Sequence, residues 1–198
     1  MKLKVFICGE GPSDIGRWAR QPEYREQYDS HGLIGAIARK VADGEWEICD
    51  GLVHKNVPAY RANRIGDSGE VRKLFGAIEM AREAGCDVLL FARDIDGQQD
   101  RSAELRRAAV DLEARGNNIT AVALVDPCIE GWALELLGER SKHGWRKTAA
   151  KEQLALRWNS SIEGTAAEWD GKTEPLSDDL KLWLDDVKRV LSSADASP

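Results

Sequence analysis

The chain has 198 residues, 42% of them hydrophobic, which is enough to bury a sizeable core; general disorder is excluded, and one domain with at most a small appendage is expected. Its 28 basic and 34 acidic residues leave a formal charge of −6, so the molecule as a whole offers no long-range attraction to a polyanion. No run of 18 or more apolar residues occurs, and the apolar part of "MKLKVFICGEG" is too short for a signal peptide, so a cytoplasmic protein without a membrane partner is expected.

Residues 2–8, "KLKVFIC", alternate and then run apolar up to Gly9, predicting a buried first strand. The polar, aromatic-bearing stretch "GEGPSDIGRWARQPEYREQYDSHG" reads as an excursion over a site, and "LIGAIARKVADG" has helical spacing with a terminal glycine. "EWEICDGLV" predicts a second strand. A long loop, "HKNVPAYRANRIGDSG", then carries Lys55, Arg61 and Arg64, and an amphipathic helix, "EVRKLFGAIEMAREAG", closes at Gly85. The third strand is "CDVLLFA", followed by the helix "QDRSAELRRAAVDLEARG" and a fourth strand, "NITAVALV". Strands alternating with helices of this length predict an α/β fold, a mainly parallel sheet flanked by helices on both faces, with right-handed crossovers.

Beyond Val125 the pattern changes. "DPCIEGWALELLG" reads as a short helix bearing Glu130 and Trp132, and residues 139–198 read as a helical extension packing on an α/β domain of residues 1–138. Its tryptophans (Trp145, Trp158, Trp169, Trp183) read as core anchors of that extension. The four cysteines (Cys8, Cys49, Cys86, Cys128) stand roughly 40 residues apart with no CxxC pair and only three histidines in the chain. Small buried thiols in a reducing compartment are expected, with neither a zinc cluster nor a disulfide framework.

Ligands of open parallel sheets bind beyond the carboxyl ends of the strands. Acids cluster at three such ends: Glu10 after the first strand, Asp94 and Asp96 after the third, Asp126 and Glu130 after the fourth, with Asp14 one turn beyond Glu10. Two carboxylates about 4 Å apart repel by roughly 4 kcal/mol at an effective dielectric near 20, so such a pocket calls for a cation. All-oxygen ligands without a His or Cys cluster favour Mg²⁺ or Mn²⁺ over zinc. Asp-x-Asp at a strand end suits such an ion because alternate side chains point the same way, and Gly97 lets the chain turn close to it.

"VFICGEGPSD" and, about 80 residues later, "VLLFARDIDG" together resemble the Toprim domain of topoisomerases, bacterial primases and the overcoming-lysogenisation-defect nucleases. Glu10 matches the glutamate past that family's first strand, Asp94 and Asp96 its Asp-x-Asp, and Asp14 the extra acid of the nuclease branch. "DPCIEGWALELL" is similar to the "ieaW" helix of small standalone Toprim-like proteins of bacterial defence loci, often encoded beside an ATPase. Glu130 and Trp132 stand at the matching places, and "TAAKEQL" makes Lys151 the better match to a following lysine, with Lys147 second. The likeness covers about residues 3–155.

The resemblance implies a metal-dependent nuclease, an antiviral effector with an ATPase partner. Glu10, Asp14, Asp94, Asp96 and Glu130 would hold Mg²⁺ or Mn²⁺, Glu10 would also act as general base, and Lys151 or Lys147 would stabilise developing charge. Arg93 and Arg101 flank the acids as candidates for neighbouring phosphates, although Arg101 reads equally well as an exposed first-turn helix residue. Lys55, Arg61 and Arg64 are candidates for tracking a nucleic-acid backbone, a solvated loop being the simpler reading. Two other readings use the same residues. "FARDIDG" also looks like the signature of haloacid-dehalogenase-type phosphatases, with Asp94 as nucleophile and Asp96 as acid. The acidic balance also fits a non-catalytic or partner-activated subunit, with homo-oligomerisation open.

Overall fold

Val5 and Ile7 pack among one set of helices and Phe6 and Cys8 among another, so the first strand has no face in water. The same alternation sends Val88, Leu90 and Ala92 one way and Leu89 and Phe91 the other. Strands buried on both faces read as continuous apolar runs, the mark of a parallel sheet between two helical layers. The computed structural model describes residues 2–16, 32–42, 44–60, 68–117, 119–126, 128–139, 146–158 and 177–192.

Along the chain these residues form β1 (Leu3–Gly9), α1 (Pro12–Ile15), α2 (Gly32–Val41), β2 (Trp46–Val53), a 3₁₀ turn (His54–Asn56), α3 (Gly69–Glu83), β3 (Val88–Asp94), α4 (Gln99–Ala114), β4 (Thr120–Val125), α5 (Ile129–Leu136), α6 (Lys147–Trp158) and α7 (Asp178–Ser192). The fold is α/β with an all-parallel sheet in the order β2-β1-β3-β4. One helical layer holds α2, α5, α6 and α7, and the other holds α3 and α4. The strand order reverses direction between β1 and β3, and at such a switch point two neighbouring connections leave on opposite faces and open a crevice at the carboxyl edge. Glu10 and Asp94 stand on the two sides of it.

The register of β2 against β1 slips by one residue: Val5 faces Ile48 but Phe6 faces Asp50, leaving Cys49 as the extra residue of a bulge. A one-residue slip exchanges the faces of everything beyond it. Accordingly Ile48 joins the α2 layer while Leu52, of the same parity, joins the α3 layer.

Cys49 is bonded to Cys86, which lies just before β3, so a disulfide ties β2 to the entry of β3 with β1 between them. This corrects the expectation of four reduced thiols, which holds only for the buried, free Cys8 and Cys128. Linear spacing carried no sign of the pairing, because residues 37 apart become neighbours only through the order of the strands. Closing a loop of that size is worth about 3–4 kcal/mol by chain entropy. Reduction, or Cys49→Ser with Cys86→Ser, is expected to lower the melting temperature by about 10 °C. Equal melting with and without reductant would show that the bond contributes nothing.

Towards the C-terminus, Trp183 of α7 lies against Trp132 of α5, ring centroids 5.6 Å apart, both buried in the core shared with β3 and β4. The side chains of Trp145, Trp158 and Trp169 lie outside the described residues. Among the described residues no helix is long and apolar enough to cross a membrane.

Candidate functional site

Adjacent residues of a strand point to opposite faces, and at the end of β3 this separates two polar clusters. Asp94, in phase with Leu90 and Ala92, turns to the α5/α6 side, and Arg93 turns to the α3/α4 side.

On the first side Asp94 is 4% exposed. Its Oδ2 accepts from the Lys147 ammonium at 2.9 Å, and the same Nζ lies 3.1 Å from Asp96 Oδ1. The strand ends at Asp94; Ile95 is buried, its N–H bound to the carbonyl of Val125 at 2.8 Å. Asp96 therefore reaches the lysine by a turn and not by continued strand alternation. It adopts the left-handed conformation (φ 51°), followed by Gly97 at φ 71°. Aspartate tolerates that region better than most residues, and glycine freely. Burial pushes the Asp94 carboxyl up, Lys147 pulls it down, and the charges of Glu130 and Asp96 push it up again. For Lys147, burial works to lower the pKa, but its hydrogen bonds to Asp94 and Asp96 outweigh it and the net shift is upward. Lys147 is the first residue of α6, where the helix dipole disfavours a cation; the two aspartates offset that cost.

Glu130 sits in the first turn of α5, where the dipole favours an anion, and is 6% exposed. Its Oε1 lies 3.5 Å from the Lys151 ammonium. Beside it, burial pushes the Cys128 thiol up to about 12, with the nearby Glu130 and Asp94 charges adding to the shift. Asp126 is exposed.

On the other face, Arg93 forms a fork with Glu70 of α3, Nε to Oε2 and Nη2 to Oε1, both at 2.8 Å. Its remaining nitrogen pairs with Glu10. Arg101 of α4 donates to the carbonyl oxygen of Asp94 at 3.0 Å, with its Nε 3.4 Å from Glu70. His54 Nε2 lies 3.2 Å from Glu70 without an aligned hydrogen bond, and its ring meets Phe91 edge-on at 5.8 Å. Asp14, in α1 and back on the α2 side of the sheet, is buried beside Ile15 and Ile34 and accepts the Gly11 N–H at 3.0 Å. Gly9 is required beside it: a Cβ there would come within 2.7 Å of the Asp14 Cβ.

Family models, curated proteins and solved structures give no match.

The structure thus brings Asp94, Asp96 and Glu130 to one side of the crevice with Lys147 and Lys151, and holds Glu10 on the other with Arg93 and Arg101. Arg61 and Arg64 lie outside the described residues. Lys55 is exposed in the 3₁₀ turn. Among the described residues, no three His, Cys, Asp or Glu side chains stand close enough to hold one metal ion by themselves. Two carboxylates, however, are what Mg²⁺ commonly takes from a protein, water and substrate oxygens completing its shell. The Lys147 ammonium stands in for such a cation between Asp94 and Asp96, and the all-oxygen donors suit a hard ion. Glu70 and His54 had no motif to mark them; the one signal was an acid in the first turn of a helix after a cation-bearing loop.

Burial, with Lys73 and Arg101 nearby, lowers the His54 pKa to about 4. The unfolded chain then binds the extra proton between pH 6.5 and 4, so His54 contributes stability that is present above pH 6.5 and lost as pH falls towards 4, about 3 kcal/mol in all. Urea unfolding of wild type and His54→Gln at pH 7.5 and 4.5 is expected to show a steeper loss in the wild type; parallel losses would remove His54 as the cause.

Proposed function

We propose that the chain is a Mg²⁺- or Mn²⁺-dependent phosphodiesterase, a nuclease, acting at the crevice between β1 and β3. The observation that carries this reading is the Lys147 ammonium held between Asp94 and Asp96 at the carboxyl edge, with Glu130 and a second lysine, Lys151, beside it. A divalent ion bound there would supply charge neutralisation at the phosphate and a more acidic attacking water. Asp94 and Asp96 would hold that ion, and Lys147, which pairs with both, would be placed to offset the charge that grows on the phosphate in the transition state. Lys151, anchored by Glu130, lies one helical turn further along the same face of α6. Glu10, once free of Arg93, is placed to take a proton from water.

A partner-activated form of the same site is favoured by one observation: Glu10, Asp94, Asp96 and Glu130 are each matched by a lysine or arginine of the chain itself. Activity then waits on whatever separates those pairs. The defence role and the ATPase partner rest on the family resemblance alone.

The test is cleavage of labelled DNA, RNA and tRNA with Mg²⁺ or Mn²⁺, beside a phosphate monoester. Metal-dependent cutting of the polymer supports the nuclease, and release of phosphate from the monoester alone supports the phosphatase reading. Metal at about ten times its Kd adds about 1.4 kcal/mol of stability, a rise of about 3–5 °C in Tm. No cleavage and no rise would sink the proposal.

A further inference from the structure

The far side of the molecule, away from the crevice, carries a surface none of this chemistry uses. β4 is the outer strand of the sheet as described, and α4 and α7 flank its outer edge, leaving a cleft of about 370 Å³ between them. Val122, Leu124 and Trp183 line its floor, and Val110 and Leu182 project at its rim, 63% and 62% exposed. Ile119, 48% exposed, stands at the entry of β4. An outer strand with apolar side chains beside it invites another chain.

The charges along the two helices say which chain. On α4 Arg106, Ala109, Val110 and Glu113 border the cleft beside the buried Leu112, spaced as one helical face, with the cation at one end, the anion at the other and small or apolar residues between. On α7 they are Asp179, Leu182, Asp186 and Arg189, again one face, with the signs of its ends reversed. Each stripe is complementary to itself when run antiparallel. A copy related by a two-fold axis puts Arg106 against Glu113 of the second chain and Asp179 against Arg189 of the second chain, with Ala109 and Val110 meeting in the middle of α4 and the Leu182 side chain lying beside Asp186 of the second chain in the middle of α7. Within one chain Arg106 already bridges to Asp179 at 2.7 Å and Arg189 to Asp186 at 3.0 Å, so these side chains have the reach and exposure to exchange partners. A parallel, translational contact would set like charges opposite one another, which is costly.

We infer that this face is an isologous interface between two copies of the chain, α4 against α4 and α7 against α7, with the outer edges of β4 facing each other across the axis. In a two-fold interface every contact occurs twice, so one substitution acts at two places.

Light scattering and sedimentation of the full chain test this. The wild type is expected to be a dimer. Arg106→Glu leaves two acids on the α4 stripe and Glu113→Arg leaves two bases, so each variant alone is expected to be weakened by about a hundredfold or more and to run as a monomer. Mixed together, the two variants are complementary at both positions and are expected to form a heterodimer. Leu182→Lys, at an exposed site, is expected to give a folded monomer without touching those charges. A wild type that stays monomeric at the highest attainable concentration, variants that remain dimeric, or folded variants that fail to pair on mixing would each overturn the interface. So would a different protein bound at this face while the chain stays monomeric.

Discussion

Asp94→Asn is expected to abolish Mg²⁺- or Mn²⁺-dependent cleavage, by about a thousandfold or more, while the melting temperature stays at or above that of the wild type. The two halves of this outcome come from the same carboxylate. A bound divalent ion contributes several kcal/mol of transition-state stabilisation, and about 4 kcal/mol corresponds to three powers of ten in rate. Asparagine keeps the size and one oxygen but not the charge, so Asp96 is left as a single exposed anion at that point. In the folded chain alone the Asp94 charge is a burden: its side chain is 5% exposed, burial disfavours its ionised form, and Glu130 and Asp96 lie close enough to add repulsion. Removing it relieves those terms, and Lys147, 37% exposed in its side chain, keeps Asp96 as a partner. Activity and Tm measured on the same preparation check the prediction. A variant that still cuts removes Asp94 from the centre; one that neither cuts nor folds says nothing for the metal, and Asp96→Asn, at an exposed turn, then takes its place.

Glu70→Ala is expected to cost about 3–5 kcal/mol of stability. This carboxylate is the shared acceptor for Arg93 and Arg101, whose side chains are 11% and 15% exposed, and it lies beside the buried His54. Breaking a buried pair from one side leaves an uncompensated charge in a poorly solvated place, and that penalty, not the net worth of the pair, sets the size of the effect. Glu70→Gln keeps an acceptor and the shape and is expected to cost about 1–3 kcal/mol. Urea unfolding should place the two variants in that order, with Tm about 10 °C lower for the alanine. A loss below about 1 kcal/mol for Glu70→Ala would mean that Glu10 and water take over the arginines without difficulty.

The sheet was legible in the sequence because its strands are apolar on both faces and bounded by glycine and charge, and the long helices were legible through their spacing and terminal glycines. Asp94 and Asp96 stood out for the same reason, as acids ending a run of buried residues. What could not be read was which residue meets which across the fold. Lys147 and Lys151 are four apart on one helix and are the same residue type, and only the position of α6 over the ends of β3 and α5 gives the first to Asp94 and Asp96 and the second to Glu130. Arg93 beside Asp94 suggested a phosphate contact near the acids, yet strand alternation turns it to the opposite face, where Glu70 and Glu10 claim it. The Cys49–Cys86 bond belongs to the same class: nothing local to either cysteine announces a partner that the strand order supplies.

The pairing of acids and bases around the crevice also changes what an approaching ligand feels. Seven carboxylates (Glu10, Asp14, Glu70, Asp94, Asp96, Glu104 and Glu130) stand there with five permanent cations (Lys73, Arg93, Arg101, Lys147 and Lys151), a local sum of −2 within a chain of −6. Most of the molecule's negative charge is therefore carried elsewhere, and beyond a Debye length the remaining −2 of the crevice is largely screened. A single divalent ion brings its sum to zero, so a phosphate chain can enter without the molecule needing a basic surface to draw it in.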